Sequence, residues 1–430
     1  MPITRTDAPG LRSIDHLDIR NYHTRTLPNG ALMYYVTGLE QELIRMEMVF
    51  HGGRWYEPQQ VVSRTVCNLM RKGTSTKTAK QIADSIDFYG AHLEVSGGQD
   101  FTSLVIYCLN KHLPYLLPIA EEILNDAAYH QDELEMYIQR QKQKLRINAQ
   151  NTDFHANRKF NAVLFGAEHP YGYSMNEAKL DALQRNTLLS YHSKHFNAGD
   201  AVYFVSGNVS EGDLNLIENT FGKYAPKGNR VSATDKSVQT DAQHRFFIDK
   251  DDSVQSSVRI GTLTIGKTHP DFPDLNVLNT LFGGYFGSRL MTNIREDKGY
   301  TYGIYSSISH YRHASYFSIE TEVGNEVCAS ALQEIYKEMD LLKHTAVDKE
   351  ELTIVQNYMM GGLLRATDGP FNRINVVKNM VMSGLDTRYF DGLVASIRTI
   401  TPKRIMELAN QYFNHETMKE VVCGKRSTIE

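Results

Sequence analysis

The sequence predicts an α+β fold of two duplicated domains, each a mostly antiparallel β-sheet with helices packed on one face. Three observations lead to this prediction. The chain has 430 residues, which suits two or three domains. The order strand, helix, strand, strand, helix occurs twice along it. The predicted strands alternate apolar and polar residues, which is typical of antiparallel sheets with one covered face.

The elements of the two halves correspond in order. The predicted strands are Leu43–His51, Ala91–Val95 and Thr102–Leu109 in the first half, and Ser257–Ile265, Tyr302–Ser309 and Ser315–Glu322 in the second. A long helix follows each set, at Leu113–Asp126 and Glu326–Leu342. Each half then closes with a helix and a strand that ends in glycine, Ala182–Phe196 with Ala201–Gly207 and Ser396–Phe413 with Met418–Gly424. This correspondence indicates an internal duplication.

Local signals define one helix and the boundary between the halves. The helix Ala79–Tyr89 is expected to begin with a capping box, in which the Thr78 hydroxyl accepts the Gln81 amide and the Gln81 side chain reaches back to the Thr78 amide. It is expected to end at Gly90. The stretch Tyr224–His244 is polar and contains Pro and Gly without a sustained apolar period. We therefore divide the chain into domains 1–223 and 245–430, with a linker at 224–244.

Composition excludes several classes of protein. The 46 basic and 50 acidic side chains give a net charge of −4, which argues against a nucleic acid or an anionic membrane as partner. No apolar run reaches the length of a membrane span, and the first residues have no signal-like apolar region. Four widely spaced cysteines are expected to be reduced, so the expected compartment is cytoplasmic.

Common catalytic patterns are missing from the sequence. It contains no HxxEH or HExxH zinc motif, no GxSxG nucleophile elbow and no GxxxxGK[ST] phosphate loop. His192 and His195 lie three residues apart on a predicted helix without a matching carboxylate, and His310 and His313 lie at a strand end. We expect both pairs to be packed histidines rather than metal ligands.

Several segments together resemble the M16 (pitrilysin/insulinase) metallopeptidases. The stretch GRWYEPQQVVSRTVCNLMRKGT, residues 53–74, matches that family's pattern at Gly53, Arg54, Glu57, Lys72, Gly73 and Thr74. The resemblance continues in residues 168–172, in the strand ending at Gly207, and in LFGGYFGSRL (281–290) and IREDKGYTY (294–302) of the second half. It spans nearly the whole chain. It implies a fold like that of the mitochondrial processing peptidase subunits and the short bacterial-type members.

The sequence departs from the family at the zinc site. Counting back from Gly73 places Arg64 at the first zinc histidine, Cys67 at the general-base glutamate and Asn68 at the second histidine. The third ligand, a glutamate in the family, falls on Lys144. Zinc binds neutral imidazole, carboxylate or thiolate, whereas Arg64 and Lys144 carry positive charge. The resemblance therefore implies a chain that binds no zinc and does not hydrolyse peptides alone.

A second feature of the family is retained. Arg295 and Tyr302 have the spacing of the pair that the family supplies from its C-terminal half to the substrate at the zinc. The resemblance implies a non-catalytic subunit of an M16-type zinc peptidase complex. Its implied partner is an HxxEH-bearing M16 subunit, which would contain the zinc, or a second copy of the chain. The implied substrate is a peptide, which the family binds along a sheet edge that corresponds here to residues 90–98.

Two alternatives remain open at this point. The chain could be a non-enzymatic scaffold or peptide-binding protein, like the respiratory core subunits that share this fold. It could also be a hydrolase that uses Cys67 as a nucleophile. That alternative requires an electropositive, partly exposed thiol, and Arg64 is a candidate source of the positive charge.

Overall fold

Two β-sheets, one from each half of the chain, organise the fold. This computed structural model describes residue 14 and residues 17–228 and 236–426. Within those residues, no helix combines the length and the apolar character needed to cross a bilayer.

The first half contains six strands and eight α-helices among the described residues. The strands are β1 (His23–Thr26), β2 (Leu32–Thr37), β3 (Leu43–Phe50), β4 (His92–Gly97), β5 (Thr102–Leu109) and β6 (Val202–Gly207). The helices are α1 (Val62–Leu69), α2 (Ala79–Asp87), α3 (Leu113–Asp126), α4 (Gln131–Asn148), α5 (Thr152–Phe165), α6 (Glu177–Asp181), α7 (Arg185–His195) and α8 (Glu211–Phe221).

The second half contains five strands and six α-helices among the described residues. The strands are β7 (Arg245–Asp249), β8 (Gln255–Thr264), β9 (Thr301–His310), β10 (Ser315–Gly324) and β11 (Lys419–Gly424). The helices are α9 (Phe272–Asn279), α10 (Cys328–His344), α11 (Lys349–Thr367), α12 (Gly369–Met382), α13 (Thr387–Thr399) and α14 (Pro402–Tyr412). Two π-helical segments, Thr280–Gly284 and Met291–Asp297, precede β9.

The strand order confirms the α+β fold with an internal duplication. The first sheet has the order β1-β2-β6-β3-β5-β4, and the second has the order β7-β11-β8-β10-β9. In each sheet one pair is parallel, β2 with β6 and β7 with β11, and every other pair is antiparallel. The two sheets therefore match strand for strand, except that β1 has no counterpart among the described residues of the second half.

Most predicted helices and strands occur within a few residues of their expected bounds. The capping box at Thr78 and Gln81 is present, and Gly90 follows α2 with a left-handed φ of 58°. The single helix expected at Ser396–Phe413 is wrong, because the chain breaks there into α13 and α14. Ile400 is extended, and the Thr401 hydroxyl accepts the Arg404 amide to start a new helix with Pro402 in its first turn.

The two halves exchange one helix each, an arrangement that the sequence did not predict. Helix α5 of the first half packs on β8 and β11 of the second sheet. Helix α12 of the second half packs on β2 and β6 of the first sheet. Each sheet therefore has its own helices on one face and a helix of the other half on the opposite face, so the halves are interlocked.

Apolar side chains fill both contacts between the halves. Around α5 the cluster is aromatic and includes Trp55, Phe165 and Tyr171, which pack with Phe246 and Val421 of the second sheet. Around α12 the cluster is smaller, with these buried members: Val36, Val49, Phe204, Ile374 and Val377. Full burial of such side chains contributes about 1.5–3 kcal/mol each, so both contacts hold the halves together.

The segment between the sheets follows the surface of the first half. Among its described residues, those between α8 and β7 form no helix or strand. The amides of Gln239 and Asp241 donate to the carbonyls of Phe165 and Val163 at the end of α5. These bonds hold the start of the second half against the first.

Candidate functional site

Helix α1 carries three of the positions that would form a zinc site, and Glu57 caps its N-terminus. The Glu57 carboxylate accepts the Val61 amide at 3.2 Å and the Ser63 amide at 2.8 Å. Val61 has a left-handed φ of 69°, which turns the chain into the helix. Because the first amides of a helix have no partner inside it, this carboxylate stabilises the start of α1.

The surroundings of Glu57 change its acidity. Tyr173 donates its hydroxyl to Glu57 Oε2 at 2.6 Å, and the Arg54 guanidinium lies 3.6 Å from the centre of the Tyr173 ring. Burial outweighs these contacts and raises the pKa of Glu57 to about 7. The carboxyl that caps α1 therefore titrates near neutral pH.

The sequence matched Glu57 to a family pattern but gave no sign of this capping role. Tyr173, which completes the contact, is 116 residues away along the chain. Only the fold brings the two side chains together.

Arg64 and Asn68 lie one turn apart on the exposed side of α1. The Asn68 amide donates to the Arg64 carbonyl at 2.7 Å, so its side chain bonds the helix itself. Lys144 is exposed on α4, a helix that contacts α1. The structure therefore brings the helices of the sequence-predicted slot together, and three of its four side chains face solvent.

Cys67 points in the opposite direction, into the core. Its exposed fraction is 2%, and a Cβ built on Gly97 of β4 would lie 3.1 Å from its Sγ. Burial, reinforced by the nearby Glu57 charge, raises the pKa of the thiol to about 12. The alternative of a Cys67 nucleophile is thus contradicted, because a reactive thiolate needs an exposed, electropositive setting.

The slot residues do not fit a zinc ion. Arg64 and Lys144 have no lone pair to offer while charged, Asn68 is engaged with the helix backbone, and the Cys67 thiol is protonated at neutral pH. Throughout the part of the chain that the structure describes, no three or more His, Cys, Asp or Glu residues are grouped so as to hold a metal. The donor chemistry of this helix is therefore incompatible with the family's metal.

His192 and His195 are packed, as expected, whereas His310 is half-buried and His313 is exposed. His192 donates from Nε2 to the Leu124 carbonyl at 2.8 Å, and burial lowers its pKa to about 4. His195 bonds the His51 carbonyl through Nδ1. In the second half, His310 bonds the Ser315 hydroxyl at 2.7 Å, and the His313 ring stacks on Trp55 with 3.9 Å between ring centres.

Arg295 and Tyr302 are brought together at the start of β9. Arg295 Nε donates to the Tyr302 carbonyl at 3.1 Å, and its guanidinium lies 4.6 Å from the centre of the Phe286 ring. Gly299 forms the intervening turn with a left-handed φ of 66°. The backbone bond fixes the guanidinium beside the strand, while the Tyr302 side chain projects outward and Tyr302 is 94% exposed.

A cavity of about 590 Å³ adjoins this pair. Besides Arg295 and Tyr302, its lining includes Gln255, Glu326 and the glycines 299 and 324. A guanidinium and a phenol at the mouth of a cavity can both donate hydrogen bonds to a carbonyl or an oxyanion. The arrangement can therefore donate hydrogen bonds to the backbone of a peptide.

The strands that adjoin these positions both lie at sheet edges. Strand β4, which lies within the expected peptide-binding segment 90–98, pairs with β5 alone among the described strands. In the part of the chain that the structure describes, β9, which carries Tyr302, pairs only with β10. Each edge can accept a further strand.

Comparison with protein families agrees with the motif resemblance. The family model described as Insulinase (Peptidase family M16) matches residues 40–174, and the one described as Peptidase M16 inactive domain matches residues 182–359. The chain belongs to the M16 peptidase family. The first match contains α1 and the second contains Arg295 and Tyr302.

Solved structures of M16 proteins share the fold. The M16 inactive-domain protein from Pseudomonas fluorescens superposes with a TM-score of 0.85 at 21% identity, over 94% of this chain and 98% of that one. A protease from Helicobacter pylori superposes with a TM-score of 0.84 at 17% identity, over 94% and 99% of the two chains.

Curated relatives cover most of the chain. An uncharacterized zinc protease from Rickettsia felis is 25% identical over 94% of this chain and 97% of its own length. An uncharacterized zinc protease from Bacillus subtilis is 24% identical over 85% of this chain and 89% of its own length. Each match therefore spans most of this chain and most of the relative.

Proposed function

We propose that this M16 chain is a non-catalytic subunit of a zinc peptidase complex. It supplies Arg295 and Tyr302 to the active site of an HxxEH-bearing partner, where a peptide is hydrolysed. The observation that carries the proposal is the held guanidinium of Arg295 beside an exposed Tyr302 at the mouth of a cavity. A solvated, purely structural arginine would not need to be fixed next to an exposed phenol.

The residues at the zinc-site positions of the first half also support the proposal. Arg64, Cys67, Asn68 and Lys144 provide neither zinc ligands nor a general base. Hydrolysis then requires that zinc and base come from another chain. In that complex, this chain contributes two hydrogen-bond donors to the substrate carbonyl and to the oxyanion that develops from it.

Mutation of the pair in the mixed complex tests the proposal. Removal of one oxyanion donor typically lowers kcat about 10²–10³-fold. We expect a loss of about that size for Arg295→Ala and for Tyr302→Phe when each is assembled with wild-type partner. Tyr305→Phe is the matched control, because Tyr305 is a half-exposed tyrosine on the same strand. Full activity in both variants would refute the role of the pair.

A scaffold or peptide-binding protein is the second candidate, and the open edges of β4 and β9 favour it. Co-purification from the native source separates the two functions. Recovery in a stable complex with an HxxEH-bearing chain supports the subunit role. Recovery in a stable complex that has no such chain and no peptidase activity supports the scaffold.

A further inference from the structure

The outer edge of the first sheet is covered by a strand and a helix. Strand β1 pairs with Leu32–Tyr35 of β2. Arg25 of β1 forms ion pairs with Glu218 of α8 at 2.7 Å and with Glu211 at 3.1 Å. Strand β1 and helix α8 therefore hold each other over this edge.

Helix α8 covers the sheet with one apolar face. Leu214, Ile217 and Phe221, spaced i, i+3 and i+7, are its buried residues. The helix packs against α3, and the Phe221 ring lies 6.0 Å from that of Tyr203 on β6. The apolar face of α8 therefore covers the first half beside α3.

The register of the sheets identifies the corresponding place in the second half. Thr37 of β2 pairs with Gly207, and Asp249 of β7 pairs with Gly424, at the ends of equivalent strands. Residues 244–247 thus correspond to the part of β2 that pairs with β1. Within the described residues, no strand pairs with the outer edge of β7 and no α-helix follows β11.

A cavity of about 830 Å³ lies at this place. Residues 244–247 form one wall, and Met418, Glu420 and Val422 of the β11 region contribute to the floor. The other wall is a stripe along one face of α10, at helical spacing: Ala329, Leu332, Gln333, Tyr336, Lys337 and Asp340. The cavity therefore occupies the position that β1 and α8 fill in the first half.

We infer that this groove between β7, β11 and α10 binds an amphipathic helix of a partner protein. The first half of the same chain shows the chemistry of the occupant, a helix with large apolar residues at i, i+3 and i+7 and acidic residues beside them. Apolar side chains of Leu332, Phe247 and Val422 would receive the apolar face.

The charges at the groove suit an acidic helix. The side chains of Arg245 and Lys337 are 79% and 59% exposed at its rim. Glu420 lies on the floor, where the Tyr336 hydroxyl donates to it at 2.9 Å and Arg245 lies 3.6 Å away. Both cations also have an acidic neighbour within the chain, because Lys337 lies 3.1 Å from Glu334 as Arg245 lies beside Glu420. Their exposed ends would be shared with acidic residues of the occupant, such as those at positions 211 and 218 of α8.

This inference is independent of the proposed function. Strand β7 and strand β9, which carries Tyr302, lie at opposite edges of the five-stranded sheet. A partner helix at β7 can therefore bind while the cavity at Arg295 remains open.

A peptide with the sequence of residues 210–224, which contains α8, tests the inference on the full chain. We expect fluorescently labelled peptide to bind, and the same peptide with serine at its three apolar positions not to bind. Leu332→Asp is expected to weaken binding more than 10-fold, and Lys337→Glu about 5-fold, the effect of about 1 kcal/mol. Leu341→Asp, on an exposed part of α10 outside the groove, should change binding less than 2-fold.

Three outcomes would overturn the inference. One is no binding at 1 mM peptide. Another is equal binding by wild type and by folded Leu332→Asp, verified by circular dichroism, which would mean that the peptide exchanges with α8 instead. The third is a homodimer in sedimentation that Lys337→Glu dissociates, because a second copy would then occupy the groove.

Discussion

The two halves of the molecule share one topology and differ in what their side chains can do. In the first half, the zinc-motif helix carries no ligand set, and β1 and α8 cover the outer sheet edge. In the second half, Arg295 and Tyr302 adjoin a cavity, and the equivalent edge borders a groove. The comparison teaches that duplication preserves the backbone, while individual residues decide which half can bind a substrate or a partner.

The contacts between the halves provide the largest expected effect. Phe165 is fully buried in the aromatic cluster around α5, and Ile374 is fully buried in the smaller cluster around α12. We expect Phe165→Ala to lower the free energy of unfolding by about 3–5 kcal/mol and Ile374→Ala by about 2–4 kcal/mol. Urea denaturation measures both losses.

The fluorescence of Trp55 distinguishes the two contacts. It is the chain's one tryptophan, and it stacks on His313 of the second half. Phe165→Ala should shift the native emission of Trp55, whereas Ile374→Ala should leave it unchanged. A larger loss of stability for Ile374→Ala would mean that the smaller cluster around α12 is the stronger of the two contacts, against this expectation.

The stability of the protein should depend on pH through Glu57, the carboxyl that caps α1. Because the folded pKa of Glu57 is about 7 and its ordinary value is 4.5, its contribution is fully present below about pH 4.5 and is lost as pH rises through 7. The total loss across this pH range is about 3 kcal/mol.

Unfolding titrations at pH 5 and pH 8 check this sign. Wild type should lose about 2–3 kcal/mol more between these pH values than Glu57→Gln, whose side chain does not titrate. Glu135→Gln, an exposed change on α4, should behave like wild type. The same pH slope in wild type and Glu57→Gln would show that Glu57 is ionised throughout.

The zinc slot allows a test of its geometry as well as of its chemistry. Arg64 and Asn68 are exposed at i and i+4 of α1, the spacing at which two histidines can bind one metal ion. We expect the double variant Arg64→His with Asn68→His to gain about 2.7 kcal/mol of stability at a Zn²⁺ concentration 100 times its Kd. Wild type should gain nothing.

Single variants supply the control for this experiment. Arg64→His alone offers one imidazole and should gain much less at the same Zn²⁺ concentration. An equal gain in wild type would mean that the existing residues hold zinc, which would refute both the slot's assignment and the proposed need for a metal-bearing partner.

Local sequence patterns predicted the strands, the capping box and the duplication because these depend on short-range periodicity and hydrogen bonding. The family pattern also assigned the slot to Arg64, Cys67, Asn68 and Lys144. It could not show that Cys67 faces the core while its neighbours face solvent, since that depends on how β4 packs against α1.

Contacts between distant segments were beyond the reach of the sequence. The exchange of α5 and α12 joins residues more than 100 positions apart, and nothing in either helix marks its target sheet. Likewise, the division of Ser396–Phe413 into two helices depends on the cap at Thr401 and on Pro402 in the first turn of the second helix. Such features require the packed chain.

Ion pairs at the two exchanged helices give the smallest expected effects on stability, and they allow the contacts of α5 and α12 to be compared. Lys378 of α12 bonds both carboxylate oxygens of Glu47, at 2.9 and 3.0 Å, and the Glu47 side chain is 5% exposed. Asp153 of α5 pairs with Arg259, but the Asp153 side chain is 49% exposed and Arg259 also pairs with Glu320. The Lys378–Glu47 pair is therefore buried. The Asp153–Arg259 pair is partly solvated, and Arg259 has a second acidic partner.

Removal of each partner should follow this difference in burial. Lys378→Met leaves the Glu47 carboxylate with Arg45 alone and is expected to cost about 2 kcal/mol, less than a fully orphaned buried charge. Asp153→Asn is expected to cost about 0.5 kcal/mol, an effect that 1 M salt should remove because the carboxylate is half exposed. Urea unfolding at low and high salt measures both. Equal losses at the two sites would show that the exchanged helices are held alike, despite the unequal burial of their charges.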